Sequence, residues 1–139
     1  TGKKFVEKQA KYSMVKDGAV LQEIIILKYL SEPSHPHITK MVDHYIDKER
    51  CKASIYLELC DLGGLDSLIE HRAQSDELFN EEDVWEWSIQ LFDALTYCHY
   101  GPDPKTRLNN KKPKGCQGSW DMIYHRDIKV DNTWFAVED

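Results

Sequence analysis

The sequence has no long hydrophobic run. Its longest unbroken aliphatic stretch is Ile24–Leu27, whereas a helix needs about 20 mostly apolar residues to cross a bilayer. We therefore expect no membrane segment. The first residues also lack the apolar region of a signal peptide and do not begin with Met, which predicts a chain cut from a longer protein.

A basic surplus is also missing. The 139 residues include 18 Lys and Arg against 24 Asp and Glu, which gives a net charge of −6. Proteins that bind nucleic acids usually carry an excess of basic residues, so we expect no nucleic-acid partner. The composition, 41% hydrophobic and 30% charged, is ordinary for a globular protein.

Paired cysteines are absent as well. Cys51, Cys60, Cys98 and Cys116 form no C-x-x-C motif, and no Cys or Asp accompanies the histidines of His35-Pro36-His37. These spacings argue against a zinc site and favour free thiols in a reducing, intracellular compartment over disulfides.

One polar segment with apolar flanks is present near the end of the chain, between Ile123 and Trp134. It places a carboxylate at Asp127, a cation at Lys129 and an amide at Asn132. Phosphoryl transfer uses three such groups: a base for the attacking hydroxyl, a cation for the phosphoryl charge, and an oxygen ligand for Mg²⁺.

The order His125-Arg126-Asp127-Ile128 followed by Asn132 resembles the H-R-D-L-x-x-x-N catalytic loop of protein kinases. Lys129 is similar to the serine/threonine-directed form of that loop. The resemblance implies that Asp127 is the catalytic base, Lys129 a phosphate contact and Asn132 a Mg²⁺ ligand. It implies that His125 supports the loop and that Arg126 meets an activation-loop phosphate where one exists.

Residues near the N-terminus extend the resemblance. Phe5 and Val6 indicate a short strand that ends near Lys8, and Val20, Ile24 and Leu27 have helical spacing. Glu23 lies beside this apolar stripe and needs a cationic partner. In the kinase small lobe a strand lysine pairs with a helix glutamate and binds the ATP phosphates, so the resemblance implies that Lys8 and Glu23 form that pair. Lys3, Lys4 and Lys11 are nearby alternatives to Lys8, and the alternative for Glu23 is an exposed position at the helix edge.

Two predicted strands, 41–46 and 53–59, are joined by a charged turn and followed by Gly63 and Gly64. The glycines resemble the hinge between the two kinase lobes. This implies a gatekeeper at Leu57 and adenine contacts from the backbone of Glu58 and Cys60. Gly64 stands where many kinases have an acidic ribose contact, so we expect either Asp66 or no residue to serve there.

Helices are predicted at 65–71 and after Asn80, which is a favourable N-cap. We expect the longer helix to be mostly buried, because Trp85, Ile89 and Phe92 widen the apolar stripe of Val84, Trp87, Leu91, Leu95 and Cys98.

Residues 101–121 contain five basic residues together with Pro and Gly. This composition predicts an exposed insertion, and it favours a solvated spacer over a docking segment. Residues 133–137 predict a short strand.

The resemblance implies an α+β, two-lobed protein-kinase-like fold that is incomplete. A partial small lobe with an antiparallel sheet and one helix would span 1–57, a hinge 58–64, and a partial helical large lobe 65–139, with the catalytic loop at 123–132. It further implies ATP and Mg²⁺ as cofactors and a protein serine or threonine as substrate.

Two alternatives stay open. No G-x-G-x-x-G precedes Lys8 and no D-F-G follows Asn132, so we expect little activity from this chain by itself. Besides part of an active serine/threonine kinase, a second hypothesis is therefore a truncated or pseudokinase-like interaction module. A small-molecule kinase of related fold is the third, although Lys129 and the hinge pattern argue against it.

Overall fold

The computed structural model describes residues 2, 4–102 and 120–136. It is an α+β structure with a small antiparallel sheet and helices, which confirms the predicted fold class. The chain divides into two compact units, Thr1–Leu59 and Cys60–Asp139.

The first unit contains a three-stranded antiparallel sheet. Its strands are β1 (Phe5–Gln9), β2 (Met41–Asp47) and β3 (Lys52–Glu58), in the order β1-β3-β2. Both predicted strands of the hairpin are confirmed to within about a residue at each end. The turn between them needs a left-handed residue, and Cys51 supplies it with a φ of 49°.

Two helices complete this unit: α1 (Tyr12–Lys16) and α2 (Ala19–Ser31). The sequence predicted α2 but not α1, because a single turn of helix is too short for an apolar period to show. Gly18 has a φ of 76° and makes the sharp corner between the helices. At the other end, the Ser31 hydroxyl donates to the Leu27 carbonyl and accepts from the Met41 amide, which ties α2 to β2.

The core of the first unit lies between α2 and the sheet. Val20 and Ile24 are 1% and 3% exposed and pack with Ile55 of β3, which is 1% exposed. The predicted helical stripe is therefore confirmed, since Leu27 packs against the same cluster. Burial of three such aliphatic side chains contributes about 1.5–3 kcal/mol each before conformational entropy is counted.

The second unit contains β4 (Gly63–Gly64), α3 (Leu65–Gln74), α4 (Glu81–Tyr100), a 3₁₀ turn (Val130–Asn132) and β5 (Trp134–Phe135). The two short strands pair antiparallel, with Gly63 opposite Phe135. The predicted strand at 133–137 is thus shorter than expected within the described residues, and Val137 lies outside them.

Helix α4 begins as predicted, because the Asn80 side chain accepts from the Glu82 amide at 3.2 Å. The expectation that α4 is mostly buried is wrong. Trp85, Ile89 and Phe92 are 62%, 64% and 66% exposed. The buried residues of α4 are Ala94, Tyr97 and Cys98, which lie in its last two turns. There the rings of Trp120 and Tyr97 meet edge to face, at 5.1 Å between their centroids.

Most of the predicted insertion, residues 103–119, lies outside the described residues. Among the helices that the structure does describe, none combines the length and apolar character needed to cross a membrane.

Candidate functional site

The segment 123–132 is held at both ends by the second unit. At its start, the Ile123 amide donates to the carbonyl of Cys98 near the end of α4, at 3.0 Å. At its end, the carbonyl of Thr133 accepts from the Leu65 amide at 2.9 Å. The loop between these anchors is therefore attached to α4 at its start and to α3 at its end.

The backbone reverses just before the predicted base. Arg126 has a φ of 63°, a left-handed conformation that costs a non-glycine residue about 1 kcal/mol or more. This turn brings the Asp127 amide to 3.3 Å from Nδ1 of His125, to which it donates. The His125 ring thus contacts the loop backbone, the position from which a supporting residue would act.

The three predicted catalytic residues lie together. Nδ2 of Asn132 donates to both the backbone oxygen and Oδ2 of Asp127, each at 2.9 Å. Nζ of Lys129 lies 3.5 Å from the same Oδ2, and 3.8 Å from Oδ2 of Asp131. One carboxylate oxygen is therefore held by an amide and a cation, on an exposed surface that a substrate can reach.

Asn132 also carries an amide oxygen, a type of ligand that a hard cation accepts. Because its amide nitrogen is engaged by Asp127, its oxygen points to the other side of the amide group. Oxygen ligands are those that Mg²⁺ prefers, and it usually takes only one or two from protein, with water and phosphate completing its shell. The described residues contain no group of three His, Cys, Asp or Glu side chains that could hold a metal by themselves. Asn132 would therefore supply one protein ligand to an ion whose other ligands are phosphate and water.

In the first unit, Lys8 of β1 and Glu23 of α2 are in contact, with Nζ 2.5 Å from Oε1. The side chains are 52% and 28% exposed. A pair this exposed adds only about 0–1 kcal/mol to stability, because solvent screens it. Its importance is therefore positional: it holds an ammonium group at a defined place between a strand and a helix.

Among the groups predicted to contact adenine, the backbone amide of Glu58 already has a hydrogen-bond partner within the protein. Leu57 is half-buried on β3, opposite Val6 and Met41. The Glu58 amide donates to the Lys40 carbonyl at 3.0 Å, so this N–H is already engaged. Its carboxylate also accepts from the Lys40 amide at 2.6 Å. Cys60 is half-buried and follows β3 as the first residue of the second unit.

Asp66, the residue considered as a substitute ribose contact, lies beside Gly64 in the second unit. Oδ1 of Asp66 is buried, and the described residues give it no hydrogen-bond partner. It lies against Gly64, where a β-carbon would approach it to 2.2 Å. This oxygen is therefore directed into the β4–α3 corner and away from solvent.

Sequence reasoning missed two supports of this site. Thr133 joins the loop to α3 through its carbonyl, and its hydroxyl donates to the Lys129 carbonyl at 3.3 Å. The Gly63–Gly64 strand pairs with the residues after the loop. Neither leaves a sequence signal, because backbone hydrogen bonds of this kind depend on tertiary packing and not on residue type.

Residues 1–138 match the protein kinase domain. The chain belongs to the protein kinase family. This confirms the resemblance drawn from the catalytic-loop motif, and the match extends over both units.

Relatives support the serine/threonine branch of the family. The chain is 33% identical over 120 residues to the G2-specific protein kinase nimA of Emericella nidulans, covering 78% of this chain and 17% of that protein. It is 37% identical over 116 residues to calcium-dependent protein kinase 5 of Plasmodium berghei, covering 83% and 15%. It is 26% identical over 133 residues to the human serine/threonine-protein kinase Nek2, covering 96% and 26%.

The chain spans only 13–17% of the length of three fungal relatives, nimA, nim-1 and fin1. Family membership therefore holds for this domain. The match does not extend to the activity, substrates and partners of the whole protein.

Proposed function

We propose that this chain is part of the catalytic domain of a protein serine/threonine kinase, which transfers the γ-phosphoryl group of ATP to serine or threonine hydroxyls of a protein. The observation that carries the proposal is the cluster of Asp127, Lys129 and Asn132, within hydrogen-bond or ion-pair distance of one another. Family membership supplies the reaction type, and this cluster supplies the groups that the reaction needs.

Asp127 is proposed as the base. Its carboxylate is exposed, so it can accept a hydrogen bond from a substrate hydroxyl and take up its proton as the phosphoryl group moves. The Asn132 amide and the positive φ of Arg126 fix its orientation. Preorganisation of this kind raises the rate because little rearrangement remains at the moment of reaction.

Lys129 and Asn132 are proposed to serve the phosphate side of the reaction. The Lys129 ammonium, two residues from the base, would offset charge on the transferred phosphoryl group. Asn132 would contribute its amide oxygen to Mg²⁺. The ion, when bound, neutralises the phosphate charge and orients the phosphates.

In the first unit, Lys8 is proposed to bind ATP phosphates, with Glu23 holding its ammonium in place. The contact between them supports this role. Leu57 and the backbone of Glu58 and Cys60 are proposed to meet the adenine. The engaged amide of Glu58 leaves only its carbonyl for that purpose.

The decisive experiment is Asp127→Asn in the complete natural protein, assayed with a serine/threonine peptide library and Mg-ATP. Loss of the base is expected to lower kcat by about 10²–10⁴-fold, while the thermal shift produced by ATP persists. Asp76→Asn is the matched control, since it removes an exposed carboxylate elsewhere in the second unit. Full turnover by Asp127→Asn would disprove the proposed mechanism.

The same assay separates the alternatives. An interaction module would give neither a Mg-ATP-dependent thermal shift nor phosphate transfer in the unmodified protein. A small-molecule kinase would phosphorylate members of a metabolite panel and no peptide. We also propose an intracellular location, because among the described residues Cys51 and Cys98 are free thiols.

A further inference from the structure

The three-stranded sheet of the first unit has an outer face that turns away from the core. Ile55 of β3 points into the core and is 1% exposed. Because side chains alternate along a strand, its neighbour Tyr56 points to the outer face. Tyr56 pairs with Glu7 of β1 on one side and with Asp43 of β2 on the other. These three side chains therefore form one row across the sheet.

A second aromatic side chain lies next to this row. Tyr45 follows Asp43 by two residues on β2, faces the same way and is 54% exposed. Of the two lysines in these strands, Lys8 lies opposite Ile55 on the core side, and Lys52 lies at the far end of the face opposite Asp47. We call the surface formed by four residues the outer-sheet patch: Glu7, Asp43, Tyr45 and Tyr56.

Both carboxylates of the outer-sheet patch accept hydrogen bonds only from uncharged donors. Glu7 accepts from the Gln9 amide and from the Tyr56 hydroxyl, each at 3.4 Å. Hydrogen bonds from Ser54 and Gln9 lower the pKa of Glu7, so it is ionised at neutral pH. Asp43 accepts from the backbone amide of the next residue at 2.7 Å. Within the described residues neither carboxylate has an ion-pair partner, so two negative charges remain unmatched.

The geometry of the patch selects among cations. Adjacent strands lie about 4.8 Å apart, so Glu7 and Asp43, on the two outer strands, start about 10 Å apart. A metal ion binds its oxygen ligands at about 2.5 Å and cannot bridge that distance. The tyrosine rings beside the carboxylates favour a guanidinium over an ammonium, because the planar guanidinium stacks on an aromatic face. Nucleic acids and anionic lipids are repelled by the negative charge.

We propose that the outer-sheet patch binds an extended segment of a partner protein that carries two arginines three residues apart. One guanidinium pairs with Glu7 and stacks on Tyr56, and the other pairs with Asp43 beside Tyr45. In the polyproline II conformation, side chains three residues apart point the same way and lie about 9 Å apart, which matches the spacing of the carboxylates. None of these residues belongs to the proposed phosphoryl-transfer groups, so this proposal stands or falls independently of the kinase activity.

The first test measures peptide binding by fluorescence anisotropy with the complete natural protein. The probe is a fluorescein-labelled Gly-Pro-Arg-Pro-Ala-Arg-Pro-Gly peptide, which has no hydroxyl group and cannot be a phosphorylation substrate. One control peptide replaces both Arg with Lys, and another of the same composition places the two Arg side by side. The probe is expected to bind at least fivefold more tightly than either control. Equal binding of either control peptide would show attraction by charge alone and would overturn the proposal.

The second test assigns the binding to this patch. Glu7→Gln with Asp43→Asn removes both charges with little change of shape, and is expected to weaken binding of the probe at least tenfold. Asp17→Asn with Glu49→Gln removes two exposed carboxylates of the same unit outside the sheet, and is expected to leave binding unchanged. Equal effects of the two double variants would contradict the proposal.

The aromatic part of the patch is tested at Tyr56. Tyr56→Leu removes the ring and is expected to weaken binding of the probe about two- to fivefold, the range of an exposed cation–π contact. Tyr56→Phe keeps the ring and is expected to bind more tightly than Tyr56→Leu. Equal binding by these two variants would contradict stacking on Tyr56. Concentration-dependent self-association that Glu7→Gln with Asp43→Asn abolishes would assign the patch to a second copy and overturn the partner proposal.

Discussion

The amide nitrogen and the amide oxygen of Asn132 have separate proposed roles. Its nitrogen donates twice to Asp127, and its oxygen is proposed for Mg²⁺. A carboxylate at this position could not donate and would repel Asp127. The amide is therefore the side chain whose two ends match both neighbours, which explains on physical grounds why the motif ends in asparagine.

Left-handed glycines give a second test at the residue scale. Gly101, with a φ of 79°, follows α4, and a β-carbon there would meet Trp120 at 2.7 Å. Gly18 has a similar φ of 76° but open space around it. We expect Gly18→Ala to cost about 1 kcal/mol from backbone strain. Gly101→Ala should cost more, because its ψ of −169° lies in a region open essentially only to glycine and because Trp120 must also move. Urea denaturation of both variants measures this. A smaller loss for Gly101→Ala would contradict the contact with Trp120.

Burial of the Cys98 thiol gives a prediction about pH. Burial raises the pKa of Cys98 above its ordinary value, because the thiolate is poorly solvated there. The folded state therefore holds the proton more tightly than the unfolded state. The resulting contribution to stability is complete at neutral pH and is lost as pH rises past about 8.5 towards the raised pKa.

The measurement compares urea denaturation at pH 7 and pH 9.5. Cys98→Ala is expected to reduce the loss of stability at high pH. In native protein at pH 8, Cys98, 7% exposed, should alkylate at least tenfold more slowly than half-buried Cys51. Equal alkylation rates would show that Cys98 is accessible.

At the scale of elements, α4 has two unlike apolar faces. Trp87 contacts the rings of Phe79 and Phe135, at 5.6 and 5.2 Å between centroids, and the last turns bury Ala94. Trp85, Ile89 and Phe92 follow one another at i, i+4 and i+7 on another face and remain exposed. A contiguous apolar stripe of this kind favours association with other apolar surfaces.

Replacing part of that stripe tests its effect. The double variant Ile89→Lys with Phe92→Lys is expected to bind less of the dye ANS than the unmodified chain and to aggregate more slowly, with unchanged far-UV circular dichroism. Lys has good helix propensity, so α4 should persist. Ala73→Lys, at an exposed position of α3, is the control for added charge. Equal dye binding by all three proteins would show that the stripe is covered in solution.

At the scale of the whole molecule, the described residues divide the buried core unequally. Six buried apolar side chains lie in the first unit and three in the second: Val20, Ile24, Leu30, Met41, Ala53 and Ile55, against Ala94, Tyr97 and Cys98. Local stability follows buried apolar contact. The amides of β2 and β3 are therefore expected to exchange with solvent more slowly than those of the second unit.

Ile55→Ala tests where this stability originates. Ile55 is 1% exposed at the centre of the first core, and its truncation should cost about 2–5 kcal/mol. Hydrogen exchange measured by mass spectrometry is expected to accelerate in β2, β3 and α2. Leu78→Ala, at a side chain 92% exposed, should change stability by no more than about 0.5 kcal/mol. Unchanged exchange in β3 of Ile55→Ala would contradict the assigned core.

Sequence reasoning succeeded where a signal was local. The β2–β3 hairpin, the stripe of α2 and the Asn80 cap each depend on residues a few positions apart, and all three are confirmed. Sequence reasoning did not predict α1 or the pairing of β4 with β5, and it wrongly predicted that the exposed face of α4 would be buried. Those features depend on which elements are present to pack together, and residue type along one helix does not report that.

The candidate site divides in the same way. The sequence by itself determined the spacing of Asp127, Lys129 and Asn132 and hence the family, because a loop motif is contained in a few consecutive residues. The Lys8–Glu23 pair, fifteen residues apart, was expected only from the resemblance to kinases, and the contact itself is a tertiary one. Only the tertiary structure decided that Asn132 donates to Asp127. Such contacts arise when separate elements pack, and packing depends on the buried surfaces of the whole unit and not on any one segment.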